Sequence, residues 1–549
     1  MTENYKNTDA SEDAVLEAGA SAPMTPEEEA AAKEAAAKKA AAEAAALGRS
    51  AAMSRARTSG ILVHPTSFPS PYGIGDLGQG AYDFIDFLAG AGQHLWQVLP
   101  LGPTGFGDSP YQCFSAFAGQ PYIISPERLL KEGLLDEADL YPMPQWDPKR
   151  VDYGSAIQYK VRLLRSAFGH FRERADEKLL GQFAAFCEKE KEWLEDYCFF
   201  MAAKDSQGGR CWLEWPEELK KPDAKTRAVW NWKLEKDMAL YRFIQFEFSR
   251  QWEALRAYAH TKEIAIIGDI PIFMALDSAD VWGSQELFCL DTKGYPLEVA
   301  GVPPDYFCAT GQLWGNPLYD WDAHEKTGYA WWIRRLRRQL EMVDYVRIDH
   351  FRGFESYWAV PAGEETAMNG TWKPGPRGRL FRALQAEFGK DTPIFAEDLG
   401  IITPEVEALR DEFGFPGMKV LQFGFGDMGD HQYIPHFYTT TNCICYTGTH
   451  DNDTTVGWYQ SQSEEVRDRI RRLGNCDGSA VSLDFIRFVL GSIAKYAIFP
   501  IQDLLQLGNE ARMNMPGVGT ANWVFRYEAW QLEDWRRDWL MRLTRACGR

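Results

Sequence analysis

From Gly60 onward, short apolar runs punctuated by Gly and Pro alternate with segments long enough to form a helix. Eight runs stand out: Ile61–His64, His94–Leu101, Glu263–Phe273, Tyr345–Phe351, Pro393–Leu399, Gly417–Phe423, Cys443–Thr449 and Tyr496–Leu504. Most are rich in Ile, Val, Phe or Tyr, which favours strands. Strands alternating with helices predict a parallel sheet, and eight such units predict a closed (β/α)8 barrel of the α/β class over residues 58–549. The stretch between Leu101 and Glu263 is far longer than one crossover. Within it Ile157, Val161, Leu164, Phe168 and Phe171 recur at helical intervals. The segments around Trp193–Met201 and Met238–Leu255 are helix-like as well. A mostly helical subdomain inserted at 127–260 is therefore expected. The segment 276–322 is rich in Gly, Pro, Trp and Tyr and reads as an irregular loop insertion over the active site.

Residues 1–57 follow a different pattern. Thr25 can cap a helix, Pro26 suits its first position and Glu28 completes a capping box. The Ala/Glu/Lys run that follows offers little apolar surface to bury. It predicts an arm that is a solvated helix or a disordered tail.

Composition narrows the function classes. The chain is 45% hydrophobic and 25% charged, ordinary for a globular protein, and carries a formal charge of −19. Excess negative charge disfavours nucleic acid and anionic membrane surfaces as partners. No bulky apolar run is long enough to span a bilayer, and Met1 to Asp13 lacks the basic start and apolar core of a secretion signal. Ten cysteines are too dilute for a disulfide framework, and Cys443-x-Cys445 is not a zinc pattern, so a reduced, cytoplasmic protein is expected. There is no phosphate-binding G-x-x-x-x-G-K-[ST] loop. Gly73 to Gly78 fits G-x-G-x-x-G only superficially. Aromatic residues are abundant, with 20 Trp, 23 Tyr and 32 Phe. Most belong in a core, but a surplus also suits sugar rings, whose apolar faces stack on flat side chains.

Barrel active sites lie at the C-terminal ends of the strands. Four predicted strands end in acid, at Asp269, Asp349, Glu397-Asp398 and Asp451. One such acid could be a helix cap, but four on one rim suggest chemistry. Glycosidic bond cleavage needs two carboxyls with separated pKa values, one to protonate the leaving oxygen and one to attack or assist at the sugar carbon. Arg347 shares a strand face with Asp349 and would favour its ionised form. A neighbouring acid, Asp398 or Asp451, could keep Glu397 protonated. Alternation alone leaves open which of Asp349, Glu397 and Asp451 plays which part.

The runs Tyr345-Val346-Arg347-Ile348-Asp349-His350-Phe351, Ala396-Glu397-Asp398-Leu399-Gly400 and Thr449-His450-Asp451-Asn452-Asp453-Thr454 resemble the active-site strands of the 4-α-glucanotransferases. This family, also called amylomaltase or disproportionating enzyme, belongs to the α-amylase superfamily. Further matches are Gly107 to Gln112, Gly268 to Phe273, Val302 to Phe307, Trp314 to Tyr319 and Glu510 to Asn514, in family order. The resemblance implies that Asp349 is the nucleophile, Glu397 the general acid/base and Asp451 the third carboxylate that stabilises the transition state. It also implies substrate contacts from Arg347, His350, His450 and Tyr111. Asp305, Tyr306 and Trp314 would belong to a loop at 302–316 that folds over the acceptor side. The implied reaction is retaining transfer of an α-1,4-glucan segment to the 4-hydroxyl of an acceptor, with maltooligosaccharides and α-1,4-glucans as donor and acceptor. The carboxyls would lie about 5–5.5 Å apart. No metal or organic cofactor is implied. The same triad would serve a hydrolase equally well. An intact acid set argues against a non-catalytic sugar-binding protein.

Overall fold

A computed structural model describes residues 26–304, 309–425 and 431–549. The chain forms two units, one ending at Ala44 and one comprising Ala45–Arg549. The described residues form twelve strands: β1 Thr58–Leu62, β2 Leu95–Gln97, β3 Ala265–Pro271, β4 Glu298–Val302, β5 Gln312–Pro317, β6 Tyr345–Asp349, β7 Ser356–Pro361, β8 Thr371–Pro374, β9 Ile394–Ala396, β10 Gly417–Val420, β11 Cys443–Tyr446 and β12 Tyr496–Pro500.

Eight of them close into a parallel barrel in the order β1-β12-β11-β10-β9-β6-β3-β2. Each of the eight apolar runs supplies one barrel strand. The strands stop earlier than the runs. The ladder at β2, for example, ends at Gln97, and that at β9 ends at Ala396. The residues beyond leave the ladder to build the rim, and that is where the acids lie. The barrel is a packed core, with every residue of β1, β2, β9, β11 and β12 buried. At Gly60 a Cβ would lie 2.0 Å from the Leu95 carbonyl oxygen, so the close approach of β1 to β2 requires glycine there.

Between β2 and β3 lie the helices Tyr153–Arg174, Glu177–Lys189, Lys191–Ser206 and Ala224–Thr261. The first is capped by Asp152, whose side chain accepts from the Ser155 N–H, and it buries Leu164 and Phe171 on its inner face. Buried Lys160 fastens it to the loops after β1 and β2, lying 3.3 Å from Asp76 in the first and donating to the Ile124 carbonyl in the second at 2.9 Å. The long helix Ala224–Thr261 is mostly exposed over its first turns and buried on one face from Phe243 onward, through Trp252, Leu255 and Ala259, and it delivers the chain into β3.

Within 276–322 lie β4 and β5, which the hydrophobic pattern does not single out. They join β7 and β8 in an antiparallel sheet of order β5-β4-β7-β8. The β4–β5 register shifts between Val299 and Gly301, and this irregularity hides the alternation that marks a strand. Because β7 begins just after the turn that follows β6, the small sheet is held beside the end of that strand.

The helix Pro26–Met53 is exposed from Ala36 to Ala44. Its predicted cap, Thr25, lies outside the described residues. Ala45, Gly48 and Ala52 are buried in the larger unit, and Arg49 pairs with Asp344 at 2.6 Å. Asp344 is fully buried and also binds His260 at 2.9 Å and the Ile266 N–H at 2.8 Å. It immediately precedes β6, at the barrel end opposite the acidic rim. No described helix is long and apolar enough to cross a membrane.

Candidate active site

The register of β6 against β9 sets the central geometry. Arg347 pairs with Phe395 and Ile348 with Ala396, so Asp349 closes β6 beside Glu397, the first residue after β9. Neighbouring strands are about 4.8 Å apart, so the two acids leave adjacent strand ends on the same rim. Glu397 is clamped in place. Its Oε2 accepts from the His350 N–H at 2.7 Å and its Oε1 from the Leu399 N–H at 2.8 Å. The first of these bonds depends on the sharp turn after β6, where His350 adopts a left-handed conformation with φ +54°.

Arg347 links two strands. One terminal nitrogen binds both oxygens of Asp269 on β3, at 2.8 and 2.6 Å, and the other binds Asp349 at 2.9 Å. Burial opposes the charge on Arg347, but Asp269 and Asp349 hold the guanidinium firmly protonated. Tyr111 donates to Asp269 at 2.9 Å and meets His450 Nε2 at 2.9 Å. With the tyrosine proton committed to the carboxylate, the network assigns the His450 proton to Nε2, which also lies 3.3 Å from Asp451. The Tyr111 and His450 rings stack at 5.2 Å. Asp451 is oriented from a distant part of the chain. Asn514 donates to its Oδ1 at 2.6 Å, while Arg512 donates to its backbone carbonyl at 2.8 Å. Trp314, on β5, packs edge-on against His350 at 4.8 Å, so the small sheet reaches the rim. Burial, with Arg352 nearby, lowers the His350 pKa to about 3, so this ring is neutral.

The structure thus brings Asp349, Glu397, Arg347, His350 and Trp314 together on one side, and Asp451, His450 and Tyr111 on the other. Asp269 and Arg347 join the two groups. Asp305 and Tyr306 lie outside the described residues. Asp269, Arg512 and Asn514 are the residues that sequence reasoning underweighted. The strand-end acid and the Glu510 to Asn514 motif were visible, but their contacts with Arg347 and Asp451 cross long stretches of chain.

The electrostatics differ from the sequence expectation in two respects. Burial raises the Asp349 pKa in spite of Arg347, and Asp269 and Asp451 add to the rise. Burial also raises Glu397, and the acid that lifts it further is Asp349. Asp398 cannot play that part. It turns away to accept from the Met418 N–H at 2.6 Å and to pair with Arg410 at 2.5 Å. Arg347 stabilises the charge on Asp349 through direct contact, so of the two carboxyls Glu397 is the one favoured to hold a proton. Activity is expected to follow a bell-shaped pH profile. Its acid limb would lie above the usual aspartate range as Asp349 gains a proton, and its alkaline limb well above the usual glutamate range as Glu397 loses one. Initial rates across pH at saturating and at limiting substrate measure both limbs. Asn514→Ala is expected to cost about 1.5–3 kcal/mol, or roughly 10- to 100-fold in kcat/KM, by freeing the Asp451 carboxylate. Steady-state kinetics with an unchanged Tm would locate that loss at the rim.

A barrel with two buried carboxyls at adjacent strand ends of its C-terminal rim, backed by an arginine and a third acid, fits the class of enzymes that break glycosidic bonds. Comparison with known proteins narrows the class. The family model described as 4-alpha-glucanotransferase matches residues 63–532. A 4-alpha-glucanotransferase of Synechocystis sp. is 51% identical over 495 residues, covering 90% of this chain and 98% of its own. One from Thermus thermophilus is 49% identical over 481 residues, covering 86% and 95%. The amylomaltase of Streptococcus agalactiae, solved in complex with acarbose, superimposes with a TM-score of 0.87 at 38% identity, over 90% of this chain and 99% of that one. The chain belongs to the 4-alpha-glucanotransferase family and is a glycosyl-transferring enzyme of that activity.

Proposed function

We propose that Asp349, Glu397 and Asp451 carry out a two-step transfer between α-1,4-glucans. Glu397 protonates the departing 4-oxygen as the bond from that oxygen to the anomeric carbon breaks. An Asp349 oxygen forms the new bond to that carbon, from the opposite face. Glu397, now ionised, takes the proton of an acceptor 4-hydroxyl, whose oxygen displaces Asp349. Two inversions return the α configuration, and both carboxyls end as they began. Asp451, held by Asn514, binds hydroxyls of the reacting sugar as positive charge builds on it. Arg347 keeps Asp349 ionised for attack, while Tyr111, His450, His350 and Trp314 line the sugar. The two displacements balance in atoms and protons with these side chains alone, so the reaction calls on no metal or organic cofactor.

The observation that carries this reading is the placement of Asp349 and Glu397 at adjacent strand ends, with burial and the Asp349 charge raising the Glu397 pKa. Maltooligosaccharides and longer α-1,4-glucans are the proposed donors and acceptors, in a reduced cytoplasmic setting. The dilute cysteines, free at all nine described positions, support that setting. Incubation with maltotriose tests the reaction. Glucose plus a ladder of longer maltooligosaccharides, at constant reducing ends, is expected. Glucose and maltose alone, with reducing ends rising, would mean that water takes the place of the acceptor.

A further inference from the structure

His64 closes the first apolar run of the chain but makes none of the catalytic contacts at the rim. The β1 ladder stops at Leu62, and His64 leads into a single turn, Pro65–Ser67. His64 is 4% exposed and Ser67 0%, yet neither the imidazole Nδ1 nor the serine Oγ meets a hydrogen-bond partner among the described residues. Buried polar atoms are nearly always paired, so two orphans in one turn call for a common partner.

Both residues line a cavity of about 20 Å³. Its other walls include His450, from the turn that carries Asp451, and Arg512. In the barrel β12 lies between β1 and β11, and it contributes Pro500, which has no N–H to offer. Arg512 donates to the Asp451 carbonyl and to the Asn514 carbonyl, each at 2.8 Å, so it is committed to holding the turn. The cavity therefore borders the residues that aim the third carboxylate. Burial, with His450 nearby, lowers the His64 pKa to about 3, so the ring is neutral, with one donor and one acceptor nitrogen.

We propose that His64 is a positioning residue for Asp451, acting through one buried water molecule held by its Nδ1 and by Ser67 Oγ against the His450–Asp451 turn. The volume suits a single water, which needs at least about 10–15 Å³ of such space. Water can donate or accept at either orphaned atom. The Arg512 guanidinium on the wall disfavours a metal cation, and the Asp453 carboxylate disfavours an anion. Held in this way, the end of β1 is coupled to the turn after β11. Asp451 acts on the reacting sugar as charge builds on it, so a turn set slightly out of place costs turnover more than ground-state binding. The inference rests on the proposed part of Asp451 in the transfer.

Variants assayed on maltotriose test it. His64→Leu removes both ring nitrogens and is expected to lower kcat about 3- to 10-fold, with KM within about twofold of the parent. His64→Asn carries an amide to the place of Nδ1 and should recover most of that loss. His64→Gln carries it to the place of Nε2 and should not. A merely structural histidine would show no such contrast. Ser67→Ala should also lower kcat, and adding it to His64→Leu should cost little more, because one water serves both atoms. A high-resolution crystal structure of the parent should show a water within hydrogen-bond distance of Nδ1 and Oγ. The proposal is overturned if His64→Leu keeps its kcat, if Gln rescues as well as Asn, if the two losses multiply, or if no water bridges the two atoms. Asp451→Asn separates this inference from the reading beneath it. A collapse of its turnover, with His64→Leu unaffected, ends the positioning role alone, whereas near-parent turnover in Asp451→Asn removes the part of Asp451 on which that role depends.

Discussion

Asp349→Asn is expected to lower turnover on maltotriose by about 10^4-fold or more, because the amide can neither attack the anomeric carbon nor compensate its charge. The substitution is nearly isosteric, and Arg347 retains its bidentate partner Asp269, so the barrel should fold as before. The loss should appear in kcat and kcat/KM alike, with circular dichroism and Tm close to those of the parent. A second consequence is read at Glu397. Without the Asp349 charge its pKa should fall, since Asp349 is the acid that lifts it beyond the effect of burial. Carboxyl titration followed by infrared difference spectroscopy would report that fall. Near-normal turnover in Asp349→Asn would remove Asp349 from the mechanism.

Glu397→Gln is expected to lower activity on maltooligosaccharides by about 10^2- to 10^4-fold, the usual contribution of a general acid. The loss should depend on the leaving group. A donor such as α-maltosyl fluoride needs no protonation to depart, so formation of the glycosyl-enzyme should be largely restored while transfer to an acceptor stays slow. Stability should move the other way. A carboxyl whose folded pKa is raised contributes most stability at low pH and loses it as pH rises from the unfolded value through the folded one. The neutral amide escapes that cost, so Tm at alkaline pH is expected to equal or exceed that of the parent. An equal loss of rate on the fluoride donor, or a marked drop in Tm, would contradict the acid role.

The barrel was legible because its strands are buried on every face and read as apolar runs, as Ile264 to Ile267 and Cys443 to Tyr446 show. The acids were legible because each directly closes or follows such a run. The small sheet was not, since β8 is largely exposed and β4 carries an irregular register, so neither shows clean alternation. The preference for a proton on Glu397 was half legible. Sequence places Arg347 two residues from Asp349, but the burial that raises both carboxyls is a property of the assembled rim. Asp398 illustrates the difficulty. Next to Glu397 in sequence, it faces Arg410 and the start of β10 instead. Asn514 marks the opposite limit, a neighbour of Asp451 in space that no local pattern could assign.

Closure of the barrel joins β1, the first of its strands, to β12, the last. On a ribosome the earlier strands can therefore form only an open sheet whose outer edges, β1 and β11, offer unpaired peptide groups until β12 has emerged. Asn514 follows later still, so Asp349 and Glu397 can be side by side well before Asp451 is aimed. A nascent chain that stalls before β12 is thus an open-edged sheet prone to pairing with its neighbours, and a chaperone that shields those two edges would act just before activity appears.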